Sequence, residues 1–329
     1  MVYNISINVR FSGRPFKRRP TNRIQRIEVE VYFTMKNDIV IIGAGAAGLS
    51  AALYTVRAGL VTTVVRFDAG SLGRADKIEN YFGFAAPVSG RMLLAATEQN
   101  LRRLGCRFMD GEVVSIRGER EGFSVSFADG TAEECACVLL ATGRSLPAPR
   151  IRGLEEFEGK GVSHCAVCDG FFFRGKAVGV LGSGEFALSE ARELLPLAAS
   201  VAFLTNGEEP SFVTLENEAF DFYPQKVIEL NGAEKLSSVT FEDGAVLPLD
   251  GLFVAPGSAG ALDFASHLGI ISENGIIVVD ADGMTNVPGV FAAGDCTGAP
   301  YQVSVSVGRG CTAALGAVNY LRGHVKFTK

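Results

Sequence analysis

Residues 38–48 read DIVIIGAGAAG, and this stretch decides the fold. Asp38 to Gly43 form a short apolar run rich in β-branched residues, which predicts a buried strand. The glycine turn that follows leads into LSAALYTVRAG (49–59), where apolar residues recur at helical spacing, and VTTVVRF (61–67) supplies the next strand. The segment therefore predicts a strand–helix–strand unit of the kind that binds dinucleotides.

The turn itself has the pattern GxGxxG. Gly43 suits a tight turn, Gly45 lets the backbone approach a pyrophosphate, and Gly48 lets the helix pack closely on the strand. Ala46 and Ala47 lie at the start of the helix, where unpaired amides attract phosphate. We predict that this turn binds a dinucleotide, with a chance glycine turn as the alternative.

The adenosine end of this site departs from the usual pattern. An acidic residue is expected at the end of the second strand, where it holds a ribose. Arg66 stands there instead, and Asp68 follows two residues later. The sequence therefore leaves open how the ribose is held.

A second strand, glycine turn and helix begins about 140 residues further on. AVGVLG (177–182) predicts the strand, GSGEFA (182–187) the turn, and SEARELL (189–195) the helix. The other predicted elements are an amphipathic helix (91–104), a three-stranded antiparallel meander (113–140), a strand (201–204), a hairpin (237–247), two more strands (251–257 and 289–295) and a last helix (303–321). We therefore predict the α/β class, with two Rossmann-like three-layer nucleotide-binding domains.

The length and composition agree with this class. At 329 residues and 34.8 kDa, the chain is long enough for two domains with separate cores. Hydrophobic residues are 47% and charged residues 20% of the chain, which is ordinary for a globular protein and excludes disorder. No stretch approaches the roughly 18 uninterrupted apolar residues of a membrane-spanning helix, and the N-terminus has no apolar signal block. Seven cysteines, an odd number, fit a reducing compartment, so we expect a cytoplasmic protein.

The charge is distributed unevenly along the chain. Residues 1–34 carry seven Lys or Arg and two Glu, so this segment has a net positive charge. The rest of the chain is therefore more negative than the net charge of −5 of the whole chain. This acidic body disfavours nucleic acid as a partner, because phosphate binding needs a basic surface. Met35 directly precedes the first strand and would serve as a start, which makes residues 1–34 a basic N-terminal extension. A nucleic-acid or membrane-surface role for this extension is the alternative.

Cys165 and Cys168 form a CxxC pair. A zinc site would have to recruit scattered ligands, because there is no second CxxC and the chain has only three histidines: His164, His267 and His324. A redox dithiol is the favoured interpretation, since two intervening residues allow a small disulfide, and we predict no metal site. Asp169 follows directly, where it can move a proton.

Several segments occur together in the order and spacing of a known family. They are GAGAAG (43–48), ENYFG (79–83), ATG (141–143), GVSHCAVCDGFF (161–172), PGVFAAGDCT (288–297) and GCTAAL (310–315). On these segments the chain from Met35 to its C-terminus resembles the low-molecular-weight thioredoxin reductases. The resemblance implies an FAD-binding domain in two pieces, 35–149 and 251–329, and a smaller domain, 150–250, that carries the CxxC and normally binds NADPH. It also implies a homodimer and a thioredoxin-like protein or another dithiol/disulfide substrate as partner.

The resemblance assigns roles to individual residues. Cys168 faces the flavin, Cys165 exchanges with the partner disulfide, and Asp169 donates a proton. The implied FAD site takes in Gly43, Gly45, Ala46, Ala47, Gly48, Arg66, Asp68, Leu72, Asn80, Ala141, Thr142, Gly143, Gly294, Asp295, Tyr301, Gln302 and Val303.

The second glycine turn departs from the family pattern. In NADPH-dependent relatives the strand after this turn ends in a His-Arg-Arg run, whose guanidinium groups hold the 2′-phosphate. Here residues 205–209 read TNGEE, and Glu185 stands in the turn where relatives have Asn. These carboxylates disfavour NADPH. NADH lacks the 2′-phosphate and is less disfavoured, although the acid that would hold its ribose is absent at Thr205.

A further departure lies beside the flavin. Tyr301-Gln302 replaces the Arg-Gln that family members commonly carry, and a tyrosine ring can stack on an isoalloxazine or on a second planar ligand. These losses resemble the pyridine-nucleotide-independent branches, which are the ferredoxin-linked reductases and the diflavin-linked disulfide oxidoreductases. We expect an FAD-dependent dithiol/disulfide oxidoreductase that does not use NADPH, closest to the diflavin-linked type, with one or two FAD per chain. The alternatives are an NADH- or ferredoxin-dependent thioredoxin reductase and a flavin-binding redox sensor without turnover.

Overall fold

The computed structural model describes residues 37–144, 149–214 and 218–324. The predicted N-terminal extension and Met35 lie outside the described residues, as does part of the segment that joins the two predicted domains.

The described residues form seventeen strands, seven α-helices and two short 3₁₀ helices. The strands are β1 (Asn37–Ile42), β2 (Thr62–Arg66), β3 (Arg107–Asp110), β4 (Val113–Glu119), β5 (Gly122–Phe127), β6 (Ala132–Leu140), β7 (Val162–Ser163), β8 (Ala177–Leu181), β9 (Ser200–Leu204), β10 (Asp221–Tyr223), β11 (Val227–Gly232), β12 (Leu236–Phe241), β13 (Val246–Pro248), β14 (Gly251–Val254), β15 (Ser272–Glu273), β16 (Ile276–Ile277) and β17 (Val290–Ala292). The helices are α1 (Ala46–Arg57), α2 (Gly70–Gly73), α3 (Gly90–Arg103), α4 (Ala166–Asp169), α5 (Glu185–Leu194), α6 (Ala261–Leu268) and α7 (Val303–His324).

The first sheet has the strand order β3-β2-β1-β6-β5-β4, with β17 also paired to β6. β1 runs parallel to both β2 and β6, while β4, β5 and β6 form the predicted antiparallel meander. Ile39 and Ile41 face a core with α1 and α7, whereas Val40 and Ile42 face a second core with α6. Because both faces are covered, β1 is a continuous apolar run without alternating polar residues.

The second sheet is parallel and has the order β10-β9-β8-β14-β7. β8, α5 and β9 form the second predicted strand–helix–strand unit, and the hairpin predicted at 237–247 is present as β12 and β13. The α/β class with two Rossmann-like sheets is confirmed.

One predicted domain boundary is misplaced by a strand. The second FAD-binding piece is predicted to start at residue 251, but β14 pairs with β8 and therefore belongs to the second sheet. The sequence could not show this, because GLFV is a fully buried apolar strand that suits the interior of either sheet. Within the described residues, no helix combines the length and the apolar character needed to cross a membrane.

Candidate functional site

A cleft of about 820 Å³ opens at the carboxyl edge of the first sheet. Gly43, Ala141 and Ala293 line it, and each of them closely follows one of the parallel strands β1, β6 and β17. This edge is where open α/β sheets bind their ligands, and the volume is within the range of about 300–1,000 Å³ found for ligand sites. Fifteen of the seventeen predicted cofactor residues line the cleft, and the two exceptions are Gly48 and Arg66.

The first glycine turn places the N-terminus of α1, which has no side-chain cap, beside the cleft. Gly43 has φ +112°, and a Cβ there would lie 2.3 Å from the Ala141 carbonyl oxygen. A Cβ on Gly48 would lie 1.8 Å from the Gly43 carbonyl oxygen, whereas a Cβ on Gly45 would meet nothing within 4 Å. Gly45 is the N-cap of α1, with no side-chain hydrogen bond at this helix end. The amides of the first turn are therefore available to a pyrophosphate.

Polar side chains on the opposite wall are fixed by hydrogen bonds. Asp295 Oδ1 accepts from Ser306 Oγ at 2.9 Å, and Asn80 Nδ2 donates to Gln302 Oε1 at 3.0 Å. These contacts join the ENYFG segment, the turn after β17 and the start of α7 around one space. Such an arrangement suits the sugar and ring portions of a dinucleotide.

Arg66 does not lie where the sequence analysis places it. Its Nη1 is 2.7 Å from Glu98 Oε2 and its Nε is 2.7 Å from Asp110 Oδ1, and it does not line the cleft. The hydrogen bond that Arg66 donates to Asp110 is the main cause of a raised pKa for the Arg66 guanidinium. The predicted cofactor role of Arg66 therefore has no support from this geometry, because α3 and β3 supply carboxylates that hold its side chain. Asp68 does line the cleft.

Some residues of the cleft were not predicted. The largest group lies between the end of β2 and Glu79, and others come from the β3–β4 turn, the segment after β6 and the segment that leads into α6, among them Glu112, Arg144, Ser258, Gly260 and Phe264. A glycine-rich segment, GSAGA (257–261), begins three residues after the end of β14, and this signal could have pointed to the α6 side of the cleft. The guanidinium carbon of Arg144 lies 4.6 Å from the centroid of the Tyr301 ring, so a cation contacts one face of this ring.

Glu112 combines burial with like charge. Its Oε1 is buried and has no hydrogen-bond partner among the described residues. Burial, followed by the negative charge of Glu185, raises the pKa of the Glu112 carboxyl to about 7. Since Glu185 begins α5, the pair lies where the second glycine turn approaches the cleft.

We expect Glu112→Gln to stabilise the protein at pH 8 more than at pH 5. Between about pH 4.5 and 7 the folded protein keeps a proton on Glu112 that the unfolded chain loses, so stability falls as pH rises through this range. The side chain is partly solvated, so we expect a gain of about 1 kcal/mol, or roughly 2–4 °C in Tm, at pH 8. Thermal melts at both pH values measure it. An equal gain in stability at pH 5 would contradict the assignment of a proton to Glu112 in the folded protein at that pH.

Cys165 and Cys168 form a disulfide with a Cα–Cα distance of 5.3 Å. Cys165 is the N-cap of α4, and its Sγ accepts a hydrogen bond from the Cys168 amide at 3.1 Å. Cys165 is only 2% exposed, whereas Cys168 is exposed and its Sγ lies 3.3 Å from the Ser266 carbonyl oxygen of α6. Because Phe264 of the same helix lines the cleft, α6 connects the disulfide to the cleft.

Asp169 lies beside the disulfide, as the sequence suggests. Its Oδ2 accepts from Ser163 Oγ at 2.7 Å, and the Cys165 amide donates to the same Ser163 Oγ at 3.1 Å. Ser163 therefore connects the carboxyl group of Asp169 to the backbone of Cys165. This geometry is compatible with proton transfer to a leaving thiolate.

The second glycine turn is contacted by the chain's own side chains. Ser183 Oγ donates to the Glu208 carboxylate at 2.5 Å, and the Ser211 amide donates to the Ser183 carbonyl oxygen at 2.8 Å. Residues 208–211 therefore fold back onto the turn that would hold a pyridine nucleotide. Glu185 places a second carboxylate in the first turn of α5.

Comparison with known proteins identifies the family. The pattern of the pyridine nucleotide-disulphide oxidoreductase family matches residues 37–310. The chain belongs to this family. The thioredoxin reductase of Aquifex aeolicus is 35% identical over 306 residues, which cover 88% of this chain and 94% of that protein.

Solved structures of similar proteins agree with this family. The atypical thioredoxin reductase TRi from Desulfovibrio vulgaris Hildenborough has a TM-score of 0.84 and 40% identity, over 88% of this chain and 100% of that chain. A ferredoxin-flavin thioredoxin reductase from Clostridium acetobutylicum has a TM-score of 0.66 and 31% identity, over 87% of this chain and 98% of that chain. The family member described here is thus a thioredoxin reductase-like, flavin-dependent disulfide oxidoreductase.

The cleft fits the FAD that this family implies. Its volume, the bare N-terminus of α1 and the absence of space for a Cβ at Gly43 and Gly48 suit a dinucleotide held against the backbone. When bound, FAD supplies a two-electron redox centre.

Proposed function

We propose that this enzyme exchanges electrons between bound FAD and the Cys165–Cys168 disulfide without using NADPH. The observation that carries the proposal is the hydrogen bond between Ser183 and Glu208 in the second glycine turn. In a nucleotide-binding domain this turn and the helix end behind it receive a pyrophosphate. Here a carboxylate of the chain itself contacts the turn.

Charge in the second glycine turn opposes a phosphate in two ways. Glu208 and Glu185 are both negative, so a pyrophosphate would be repelled by each of them. Glu185 also gains from the positive end of the α5 dipole, which would otherwise attract the phosphate. Residues 205–209 contain no cation that would hold a 2′-phosphate.

Anaerobic stopped-flow mixing tests the proposal. We expect neither NADPH nor NADH to bleach the flavin band of the oxidised enzyme within seconds, while dithionite bleaches it fully. Bleaching by NADPH would overturn the proposal, and bleaching by NADH alone would establish the NADH-dependent alternative. Turnover with a dithiol or disulfide substrate separates an enzyme from a redox sensor.

We expect the double variant Glu185→Gln/Glu208→Gln to bind NADPH at least about tenfold more tightly than the wild type. Removing two like-charge repulsions of about 1 kcal/mol each accounts for such a change. Isothermal titration calorimetry measures the affinity. Glu209→Gln is the matched control, because Glu209 is an exposed neighbour, and it should leave the affinity unchanged. Equal affinities in the double variant and the wild type would show that these carboxylates do not exclude the nucleotide.

We also propose that a second FAD binds against the ring of Tyr301. This residue lines the cleft, and its side chain is 44% exposed with Arg144 against one ring face. A second planar ring would stack on Tyr301 either on the other face or in place of Arg144. Counting released flavin per denatured chain tests this directly, since a ratio near two supports it and a ratio near one refutes it.

We propose a thioredoxin-like protein as the partner. Thioredoxin reductases are among the similar proteins, and Phe171 and Phe172, which lie three and four residues after Cys168, are 67% and 69% exposed. Large apolar side chains at a redox site suit a protein surface. Since Cys165 is buried, attack on a partner disulfide requires a movement that exposes it. A homodimer in the cytoplasm completes the proposal, and five free cysteines suit that reducing compartment.

The electron donor is proposed to be something other than a pyridine nucleotide. The ferredoxin-flavin thioredoxin reductase of Clostridium acetobutylicum supports this, because its name gives a protein donor. Flavin reduction by reduced ferredoxin, followed by loss of the Cys165–Cys168 disulfide, would favour the ferredoxin-dependent alternative over a diflavin one.

A further inference from the structure

A buried carboxylate and a buried histidine lie directly behind the redox disulfide. Glu190 of α5 and His267 of α6 have side chains that are 2% and 4% exposed, and Glu190 Oε1 is 3.2 Å from His267 Nε2. The other carboxylate oxygen, Oε2, accepts a hydrogen bond from the Ala166 amide at 2.6 Å. This is the amide that directly follows Cys165, so the pair is connected to the disulfide by one hydrogen bond.

The surroundings of His267 leave it with few partners. Neither ring nitrogen makes a well-aligned hydrogen bond with any group in the described part of the chain. The Phe186 ring packs near it, with centroids 6.2 Å apart. Apart from Glu190, the titratable groups around it are Asp263 on the preceding turn of α6 and His164 before α4. Asp263 is held by the Gly260 amide at 2.7 Å, and burial raises the pKa of its carboxyl.

Burial makes the charge of this pair sensitive to the state of the sulfurs. A buried carboxylate is costly unless a cation or hydrogen bonds offset its charge. With the disulfide closed, the Ala166 amide donates a hydrogen bond to Glu190 and offsets part of its charge. Opening the disulfide creates a second negative charge nearby, if one sulfur becomes a thiolate. Two neighbouring negative charges then favour a proton on the pair.

We propose that His267 and Glu190 together take up one proton when the Cys165–Cys168 disulfide is reduced. The step breaks the S–S bond and adds two electrons from a dithiol reductant, which itself becomes a disulfide and releases two protons. One of these protons forms the thiol of buried Cys165, the other goes to the His267–Glu190 pair, and Cys168 stays a thiolate. The inference rests on the proposal that Cys165 and Cys168 are the redox pair.

A redox titration against dithiothreitol tests the inference without any need for turnover. The FAD-loaded full chain is equilibrated with reduced and oxidised dithiothreitol from pH 6 to 8, quenched in acid, and its free thiols are alkylated and counted by mass. The wild type releases no net proton in this exchange, so its equilibrium constant should be nearly independent of pH. In His267→Gln the second proton goes to solvent, and the constant should rise about tenfold for each pH unit.

His164→Gln is the matched control. His164 directly precedes Cys165 and its Nε2 is 2.9 Å from Glu158 Oε1, but this pair is exposed. The His164→Gln variant should therefore show the same pH dependence of the equilibrium constant as the wild type. Glu190→Gln should behave like His267→Gln, and it serves if His267→Gln does not fold. Parallel pH profiles of the wild type and both folded variants would overturn the inference, whereas a disulfide that dithiothreitol cannot reduce in the native protein would instead contradict the proposed redox pair.

A measurement on the unsubstituted imidazole covers the case in which neither buried variant folds. The chain has three histidines, so His164→Gln and His324→Gln assign two of the ¹³C-labelled histidine signals and leave the third to His267. We expect this signal to move toward that of a protonated imidazole when the disulfide is reduced at constant pH. The same titration curve in both redox states would overturn the inference.

Discussion

Cys168→Ser is expected to abolish electron exchange between the flavin and the CxxC pair. Cys168 is the exposed sulfur and lies 3.3 Å from the α6 backbone, and α6 also lines the cleft, so no other described sulfur is as well placed to meet the flavin. Removing a reacting nucleophile typically costs about 10³-fold or more in rate. Stopped-flow reoxidation of the reduced flavin by the disulfide substrate measures the loss.

Cys165→Ser should give the complementary result. Without its partner, Cys168 remains as a thiolate beside oxidised flavin, which should produce a long-wavelength charge-transfer band. Cys311→Ser is the matched control, because Cys311 is a partly exposed free cysteine outside the CxxC segment, and it should leave both the rate and the spectrum unchanged. If the band appeared in Cys168→Ser instead, the roles of the two sulfurs would have to be exchanged.

Gly48→Ala is expected to destroy the FAD site and to destabilise the fold. The new Cβ would lie 1.8 Å from the Gly43 carbonyl oxygen, so α1 would have to move away from β1. Overpacking of this kind costs about 1–3 kcal/mol and more where two backbones meet. We expect protein without flavin and a clearly lowered Tm, measured by absorbance after gel filtration and by circular dichroism.

Gly45→Ala is expected to weaken FAD binding without destabilising the fold. Gly45 has φ −85°, and a Cβ there meets nothing within 4 Å, so the fold should tolerate alanine. The added methyl group would nevertheless lie where the pyrophosphate approaches the helix end. Flavin retention should therefore fall while the Tm of the flavin-free protein stays the same. Normal flavin content in Gly48→Ala would show that α1 can shift without loss of the site.

The local signals in the sequence were sufficient for both strand–turn–helix units. DIVIIG and AVGVLG form β1 and β8, because short apolar runs before glycine turns have few alternatives. The FAD residues around Gly43, Ala141 and Asp295 also gather at one edge, since parallel strands bring their carboxyl ends together. The same logic could not decide which sheet contains β14, because a buried apolar strand fits either.

The contacts that the sequence did not show are those between distant segments. Arg66 was expected in the cleft, but carboxylates from α3 and β3 draw it away. The sequence predicted repulsion of phosphate by residues 205–209, but not that Glu208 would bond to Ser183, 25 residues away. Nor did it relate His267 to Glu190, since no local pattern records which helix faces pack together.

The enclosure of Cys165 has a consequence for selectivity. At 2% exposure, this sulfur is out of reach of small disulfides that diffuse past the surface. If Cys165 is the attacking sulfur, as proposed, we expect it to react only with a molecule that binds well enough to hold the enclosure open, and a protein surface docked on Phe171 and Phe172 can supply that binding energy. Under the proposed roles, burial of Cys165 restricts attack by this sulfur to docked protein disulfides, whereas the exposed Cys168 stays open to small thiols and disulfides.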